Sequence, residues 1–270
     1  MTVPSGHEAQ PRPAGPAQLD PADDHALAAR LAEAAGAALI AARGRLGFAD
    51  GAALRDAGDR CAQELLAEWL GRARPEDAVL SEEASDDLGR LGADRVWIID
   101  PLDGTREYAE EGRSDWAVHV ALWVQGRLTA GAVALPARGV TLGTAAPRAT
   151  AIAPARPVRL AVSRTRPPDV ARDLATALQA DLVPMGSSGA KTASVIMGDV
   201  DAYVHAGGQY EWDSAAPVAV AVAAGLHASR LDGSALRYNQ RDPYLPDLLI
   251  CLPHLARRIL ELIAAREGIL

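Results

Sequence analysis

The chain is poor in the residues that mark secreted and nucleic-acid-binding proteins. Its 270 residues include two cysteines, Cys61 and Cys251, and each lies in an apolar segment. We therefore predict buried free thiols, which fit a reducing, cytoplasmic environment. Acidic residues outnumber Lys and Arg by 35 to 27, and the net charge is −8. This charge argues against a nucleic-acid polymer as partner, because duplex binding needs a basic surface.

Long apolar runs and lysine are also scarce. No apolar run approaches the ~18 residues that a membrane-spanning helix needs, and no signal peptide is evident, so no membrane partner is expected. Lys191 is the only lysine, whereas arginine is common throughout the chain. Its retention indicates a position that requires a compact ammonium group, although chance retention on a helix surface would leave the same pattern.

The residues that are present predict two lobes that follow a tail. Residues 1–22 are rich in Pro, Gly, Ala and Gln without periodicity, which predicts a disordered tail. Residues 23–155 mix helices and strands as an α+β lobe, which carries most of the acidic segments described below. Residues 156–270 alternate strands and helices, the pattern of an α/β lobe. The Ala- and Pro-rich stretch Ala145–Pro157 is predicted to connect them.

Apolar periodicity places the main elements of the first lobe. Helical spacing predicts helices over Asp23–Arg43 and about Arg60–Gly71, and β-prone runs predict an antiparallel pair over Trp116–Trp123 and Leu128–Leu135. In the second lobe, the last helix is expected over Pro253–Glu267.

The most informative segment is the hexapeptide Asp100-Pro101-Leu102-Asp103-Gly104-Thr105. It follows the β-prone run Val96–Ile99, and Pro101 is expected to end that strand at Asp100 because proline lacks an amide donor. The turn that follows can bring Asp100, Asp103 and the Leu102 carbonyl to one side. These hard oxygen ligands are the kind that magnesium prefers.

The end of the same hexapeptide suits an anion. Gly104 and Thr105 open a new element with free backbone amides, as at the N-terminus of a helix. Oxygen ligands beside a phosphate-sized cradle predict a magnesium-dependent phosphoryl site.

Three other acidic segments accompany this motif: Asp59, Ser81-Glu82-Glu83 and Glu211-Trp212-Asp213-Ser214. In this order the four segments resemble the signature of the inositol monophosphatase and fructose-1,6-bisphosphatase superfamily of lithium-sensitive, magnesium-dependent phosphomonoesterases. Within it the chain most resembles the CysQ-type 3′(2′),5′-bisphosphate nucleotidases of high-GC bacteria, from about residue 24 to the C-terminus. The resemblance implies a layered α-β-α-β-α sandwich with the metal site between the lobes.

The resemblance also implies a cofactor and residue roles. Two or three Mg²⁺ ions are expected, and Li⁺ is expected to inhibit. Their ligands would be Glu82, Asp100, the Leu102 carbonyl, Asp103 and Asp213. Asp59 would hydrogen-bond the Thr105 hydroxyl, and this pair, with Glu82 as a further catalytic group, would activate water, because threonine is a poor base alone. A homodimer is common in the superfamily.

These acidic residues also have ordinary explanations. Glu82 and Glu83 can be a solvated pair before a loop, and Glu83 is expected only to support the metal site. Asp59 and Asp213 can each be the N-cap of the helix that follows.

Substrate contacts are expected from five further positions in addition to Asp213. Gly104 and Thr105 would bind phosphate. Ser188 and Lys191 fit a Ser-x-x-Lys pattern that contacts phosphate and sugar in nucleotide-preferring relatives. Arg166 stands where such relatives often carry histidine in Ser-Arg-Ser-His, and arginine can stack on a base or bind a second phosphate. The aromatic residues Tyr210 and Trp212 are candidate base-stacking walls or packing at the lobe interface.

The predicted reaction is hydrolysis of the 3′-phosphate of adenosine 3′,5′-bisphosphate by metal-activated water, which would clear a sulfate-assimilation by-product. Inositol 1-phosphate or fructose 1,6-bisphosphate phosphatase activity, or both, is the alternative. A haloacid-dehalogenase phosphatase also carries Asp-x-Asp-Gly-Thr, but its aspartates are two residues apart and here they are three apart. A non-catalytic sensor of nucleotide bisphosphates is the remaining alternative.

Overall fold

A computed structural model describes residues 23–86, 88–147 and 156–267. The tail predicted over 1–22 and the middle of the connector predicted over 145–157 lie outside the described residues. The predicted boundary between the lobes therefore stays a prediction.

Ten strands of the described chain form two five-stranded sheets. The first sheet contains β1 (Ala78–Ser81), β2 (Arg95–Asp103), β3 (Ala117–Val124), β4 (Arg127–Leu135) and β5 (Val140–Gly143), in that order across the sheet. The second contains β6 (Arg159–Ser163), β7 (Asp181–Met185), β8 (Ala202–Tyr210), β9 (His227–Ser229) and β10 (Tyr244–Cys251), in the order β7-β6-β8-β10-β9. The predicted hairpin of the first sheet is confirmed as β3 and β4.

Seven helices in the described ranges complete the architecture. They are α1 (Asp24–Leu46), α2 (Gly51–Ala73), α3 (Thr105–Tyr108), α4 (Asp169–Leu178), α5 (Ser188–Ile196), α6 (Glu211–Ala223) and α7 (Pro253–Glu267). Helices α1 and α2 cover one face of the first sheet, α5 and α6 lie between the sheets, and α4 packs beside α7 on the outer face of the second sheet.

Three apolar cores separate these layers. Leu31, Leu66 and Trp97 belong to the core under α1 and α2. A second core lies between the sheets around α5 and α6, and a third joins the second sheet to α4 and α7 through residues such as Ile259. Helix, sheet, helix, sheet and helix follow one another, so the predicted five-layered sandwich is confirmed.

Helix α1 alone among the described helices is long and apolar enough to cross a membrane, judged by length and composition. Arg30 and Glu33 interrupt its apolar residues, so no uninterrupted apolar run reveals it. Its buried residues, including Leu31 and Leu39, pack against α2, β3 and β4. Core packing therefore accounts for its apolar composition.

Two predicted boundaries were wrong. Helix α2 begins at Gly51 instead of near Arg60, because the Asp50 carboxylate accepts the amides of Ala52 and Ala53 at 3.1 and 3.0 Å and so caps the helix earlier. Strand β2 does not end at Asp100. It passes Pro101 through a bulge, because pairing with β3 resumes at Asp103, and the missing amide of the proline falls inside the bulge.

The two cysteines carry free thiols in the structure. Cys251 is fully buried and Cys61 is half-buried, so the prediction of buried thiols is confirmed for Cys251 and partly for Cys61. Burial raises the pKa of the Cys251 thiol to about 12, which makes it unreactive.

Candidate active site

Three aspartates from the two halves of the chain meet between the sheets. Asp100 and Asp103 flank the bulge of β2, and Asp213 lies in the first turn of α6. Each offers one carboxylate oxygen, and these three oxygens lie within 4.8 Å of one another. A cluster of hard oxygen ligands at this spacing is suited to a divalent cation.

The bulge is shaped by short-range hydrogen bonds. The amide of Leu102 donates to Asp100 Oδ1 at 3.0 Å, and the Thr105 hydroxyl donates to the Leu102 carbonyl at 3.0 Å. Gly104 has φ of +86°, and a Cβ there would lie 3.1 Å from the Ser187 side chain and 3.2 Å from Trp116. Glycine is therefore required both for the backbone conformation and for the close approach of α5.

Asp100 is a buried carboxylate whose ion-pair contact is long, since His119 Nδ1 lies 3.9 Å from its Oδ2 atom. It is 1 % exposed, and its Oδ2 atom has no hydrogen-bond partner. Burial, followed by the negative charges of Glu82, Asp103 and Asp213, raises the pKa of Asp100 well above its usual value. A buried, unpartnered oxygen facing other carboxylates is what a cation site requires, so the residues fit a divalent metal ion.

Asp103 is buried but fully engaged. Its Oδ2 accepts hydrogen bonds from the Ser187 hydroxyl at 2.5 Å and the Gly189 amide at 2.8 Å, and it lies 3.2 Å from His119 Nε2. Although burial alone would raise it, the pKa of Asp103 is lowered to about 2 by the His119 ring, with contributions from Lys191 and Ser187. Asp103 therefore ties β2 to the start of α5.

Glu82 approaches the same cluster from the end of β1. The residue as a whole is exposed, yet its carboxyl group is crowded by the cluster. Burial of that carboxyl and the charges of Asp213 and Asp103 raise the pKa of Glu82 to about 7. Glu82 and Glu83 are therefore not simply a solvated pair, although Glu83 is exposed.

Asp213 is not the N-cap of α6, as one interpretation of the sequence had it. The helix begins at Glu211, so Asp213 is its third residue, and its Oδ2 accepts the amide of Tyr210 at 2.6 Å. Burial and the charge of Asp103 raise the pKa of Asp213 to about 6. The other carboxylate oxygen is left for the cluster.

Asp59 and Thr105 do not form the expected hydrogen bond in the described structure. The Thr105 hydroxyl has one proton, and it is donated to the Leu102 carbonyl. Asp59 is also not an N-cap, because α2 begins eight residues earlier, at Gly51. Burial, and then the charges of Glu83 and Asp56, raise the pKa of Asp59 to about 7. A carboxyl with this pKa can exchange protons near neutral pH.

Ser188 and Lys191 are buried in the first turn of α5, at 6 % and 4 % exposure. The Lys191 ammonium donates to the Gly186 carbonyl and lies 5.0 Å from the Tyr203 ring centroid. Burial lowers the pKa of Lys191, while the charge of Asp103 opposes that effect. Chance retention of this lysine on a helix surface is therefore excluded, whereas its contact with substrate stays a prediction.

Arg166 is exposed on the loop after β6. Its neighbour Arg164 is held by ion pairs with Glu107 and Glu110. Arg166 is thus the freer of the two arginines to meet a ligand, and its role also stays a prediction.

An exposed aromatic surface adjoins Asp213. The Tyr210 and Trp212 rings stack with centroids 4.8 Å apart at an interplanar angle of 13°, and Tyr244 meets Tyr210 edge-on. Tyr210 is 46 % exposed and Tyr244 is 50 % exposed. Packing between the sheets accounts for Trp212, which is half-buried against the core there, but not for Tyr210, because nearly half of Tyr210 faces solvent.

Sequence reasoning missed two residues of the site, His119 and Ser187. His119 lies opposite Asp100 in the register of β3, and its Nδ1 lies 3.1 Å from the Trp212 carbonyl. A single ionisable residue within the apolar strand β3 was an available signal. Ser187 both caps α5, through the amide of Ala190, and donates to Asp103. Only the folded structure relates it to the acidic cluster.

Comparison with known proteins places the chain among phosphatases of this architecture. A sequence model described as the inositol monophosphatase family matches residues 25–267. The chain is 54 % identical over 257 residues to a protein of Mycobacterium leprae (strain TN) named 3′-phosphoadenosine 5′-phosphate phosphatase, with 89 % of this chain and 93 % of the relative covered. It is 56 % identical over 238 residues to a protein of the same name from Mycobacterium bovis, covering 85 % and 89 %.

Solved structures agree with the sequence relatives. The crystal structure of CysQ from Bacteroides thetaiotaomicron, described as a bacterial member of the inositol monophosphatase family, superposes with a TM-score of 0.69 at 25 % identity. The alignment covers 84 % of this chain and 96 % of that one. The range matched by the family model, residues 25–267, includes all the strands of both sheets.

Proposed function

Because the chain belongs to the inositol monophosphatase family, we propose that it is a magnesium-dependent phosphomonoesterase that hydrolyses the 3′-phosphate of adenosine 3′,5′-bisphosphate. The products would be AMP and inorganic phosphate. The observation that carries the proposal is the buried, unpartnered Asp100 oxygen among the carboxylates of Asp103 and Asp213. The mycobacterial relatives named for this substrate support the choice of ester.

The proposed cation ligands are Glu82, Asp100, the Leu102 carbonyl, Asp103 and Asp213. The Leu102 oxygen already accepts the Thr105 hydroxyl, but a carbonyl oxygen has a second lone pair. When bound, magnesium would neutralise charge on the phosphate and lower the pKa of water. Two or three ions are proposed, and lithium is proposed as an inhibitor.

The chain's own residues would position the reactants. Asp59, with a pKa raised to about 7 by burial and neighbouring carboxylates, is the proposed proton acceptor for the attacking water, together with the Thr105 hydroxyl. The amides of Gly104 and Thr105 would hold the phosphate that is removed. Ser188, Lys191 and Arg166 are proposed contacts for the rest of the nucleotide.

The exposed stack of Tyr210 on Trp212 favours a nucleotide over a sugar phosphate. Aromatic rings bind any base through its π-face, and such stacking contributes about 1–3 kcal/mol per base. The stack lies directly beside Asp213, because the Tyr210 amide donates to that carboxylate. An inositol or fructose ring would gain little from it.

Phosphate release from three esters tests the proposal. Adenosine 3′,5′-bisphosphate, inositol 1-phosphate and fructose 1,6-bisphosphate would be compared at saturating magnesium, with a lithium arm. We expect the nucleotide to be preferred in kcat/KM by about a hundredfold, which corresponds to ~2.7 kcal/mol. Equal or better turnover of a sugar phosphate would contradict the assigned substrate and leave the phosphatase assignment in place.

We also propose that the protein acts in the cytoplasm, as a homodimer, without a membrane or nucleic-acid polymer as partner. The acidic net charge of −8 supports the last point. Light scattering of the purified protein measures its oligomeric state, and a monomer would contradict the dimer.

A further inference from the structure

A buried polar network lies behind the acidic cluster and connects two of its parts. Its central side chain is Arg90, in a short 3₁₀ helix that follows the Glu82 loop, and Arg90 is 3 % exposed. Its other members are Glu211, 1 % exposed, and Asn239, 7 % exposed. Burial of charged groups to this degree is rare unless each group is paired.

The Arg90 guanidinium group donates hydrogen bonds to three residues. Its Nε and Nη2 atoms donate to the Asp86 carboxylate, with a shortest distance of 2.7 Å. Nη1 donates to Asn239 Oδ1 at 2.6 Å, and Nη2 also donates to the Gln240 carbonyl at 2.9 Å. Asn239 returns a hydrogen bond from Nδ2 to the Arg90 carbonyl at 3.3 Å. The loop after β1 is thus fastened to the loop before β10.

Glu211 fastens the other side of the loop before β10. Its two carboxylate oxygens accept the amides of Asn239 and Gln240 at 2.7 and 2.8 Å. Its own amide donates to the Pro243 carbonyl at 2.8 Å. Asn239 has φ of +60°, a conformation that presents its amide to Glu211 and its side chain to Arg90.

The two ends of this network carry cation ligands. Glu82 lies in the same loop as Asp86 and Arg90, and Glu211 is two residues before Asp213 in the first turn of α6. We propose that Arg90 and Glu211 are positioning residues that hold the Glu82 loop and the first turn of α6, which carries Asp213, in place around the cation site. The inference rests on the proposed function, because it takes the acidic cluster as a cation site.

The physical reason is the like charge of the two ligands. Glu82 and Asp213 both carry a carboxylate, and Asp213 is one of the charges close enough to act on Glu82, so the two groups repel each other. A loop held only by its ends would relax away from that repulsion, and the site would then have to be assembled by the cation. Removing a group that orients metal ligands from outside typically lowers metal affinity about 10- to 100-fold.

The test measures Mn²⁺ binding by the electron paramagnetic resonance signal of the free ion, which does not depend on turnover. We expect Arg90→Met to weaken Mn²⁺ affinity about tenfold or more. Asn239→Gly is the milder variant, because glycine accepts φ of +60° and keeps the amide that Glu211 binds. It removes the two side-chain hydrogen bonds between Asn239 and Arg90 and leaves the one from Arg90 to the Gln240 carbonyl. We expect it to weaken affinity less than Arg90→Met but measurably.

Arg156→Met is the matched control. Arg156 donates two hydrogen bonds to the Asp201 carboxylate, at 2.7 and 3.2 Å, between the segments that lead into β6 and β8. Its removal should lower the melting temperature but leave Mn²⁺ affinity within about twofold of wild type, since it touches neither ligand segment. If Arg90→Met does not fold, Asn239→Gly decides the question.

The outcomes separate this inference from the proposed function. Unchanged Mn²⁺ affinity in the folded Arg90 or Asn239 variant, with only a lower melting temperature, would overturn the positioning role alone. Failure of the wild type to bind Mn²⁺, or unchanged binding in Asp100→Asn, would overturn the cation site and the positioning role with it.

Discussion

Asp100 and Asp103 flank one bulge and are both buried, yet their surroundings are opposite. Asp103 accepts hydrogen bonds from a hydroxyl and an amide and lies beside a histidine ring, and its pKa is lowered to about 2 despite burial. Asp100 has one oxygen without a partner, and burial beside three carboxylates raises its pKa. Neighbouring groups of the protein therefore balance the charge of Asp103. The charge of Asp100 is left for a bound cation to balance.

The difference divides the site into a closed side and an open side. The closed side is Asp103 with His119, Ser187, Gly189 and Lys191, and it joins β2 to α5. The open side is Asp100 with Glu82 and Asp213, and it concentrates uncompensated negative charge. A protein tolerates such a concentration where a cation relieves it, so the open side is expected to depend most on the cation. On the closed side, Asp103 is a proposed ligand that the protein also uses to hold β2 against α5.

The largest expected effect comes from removing the open-side charge. Asp100→Asn keeps the shape of the side chain but loses a ligand to the cation. We expect kcat for adenosine 3′,5′-bisphosphate to fall by about 10³-fold or more, which is ~4 kcal/mol of barrier. A variant that keeps more than about a tenth of wild-type kcat would refute the assignment of Asp100 as a ligand.

The closed side should respond in stability instead. Ser187→Ala removes a hydrogen bond to a buried charge and the cap of α5, which together should cost about 2 kcal/mol. The melting temperature of the metal-free protein should then fall by roughly 5 °C. Asp100→Asn serves as the contrast, because it relieves repulsion and should leave that temperature unchanged or raised. If the melting temperature fell equally in both variants, the proposed difference between the closed and open sides would be wrong.

The aromatic stack next to the open side should affect specificity. Tyr210→Ala should raise KM for adenosine 3′,5′-bisphosphate about tenfold, ~1.4 kcal/mol, because a base would lose its stacking surface. Any turnover of inositol 1-phosphate should change little. Val222→Ala, at an exposed apolar position on α6, is the control. Parallel losses on both esters would mean that Tyr210 supports the site and does not bind a base.

The smallest expected effect is a shift in pH dependence. Burial, and next the charge of Glu83, raises the pKa of Asp59 to about 7, so turnover should fall as pH drops below that value and protonates the base. Glu83→Gln removes a negative neighbour, lowers the pKa of Asp59 and should move the acid limb of kcat/KM to lower pH by a fraction of a unit. Glu68→Gln, a surface change on α2, should leave the limb in place. An acid limb that does not move in Glu83→Gln would argue against Asp59 as the base.

The sequence predicted the open side better than the closed side. Motifs name all three open-side residues, Glu82, Asp100 and Asp213, whereas on the closed side they name only Asp103 and Lys191. The five-layered fold was implied by the resemblance, and periodicity placed most of its helices and strands. The bulge that carries Asp100 was not predictable, because Pro101 favours the end of a strand and only pairing of Asp103 with Ala117 continues it.

The closed side depends on contacts between residues far apart in the chain. Ser187 and Asp103 are 84 residues apart, and no local pattern relates them. The start of α2 was misplaced for a different reason. The apolar pattern becomes strong only after Asp59, whereas the helix is set by the cap at Asp50. The contact between Arg90 and Asn239, which are 149 residues apart, was not predicted for the same reason as the contact of Ser187.

A magnesium titration of metal-stripped protein shows whether the open side works through a bound cation. Phosphate release from adenosine 3′,5′-bisphosphate would be followed after treatment with a chelator and then with increasing magnesium. We expect no phosphate release above background until magnesium is added, and full recovery of turnover at saturating magnesium. Undiminished turnover with residual metal far below the enzyme concentration would contradict this expectation, because the open side would then work without the cation that its charges require.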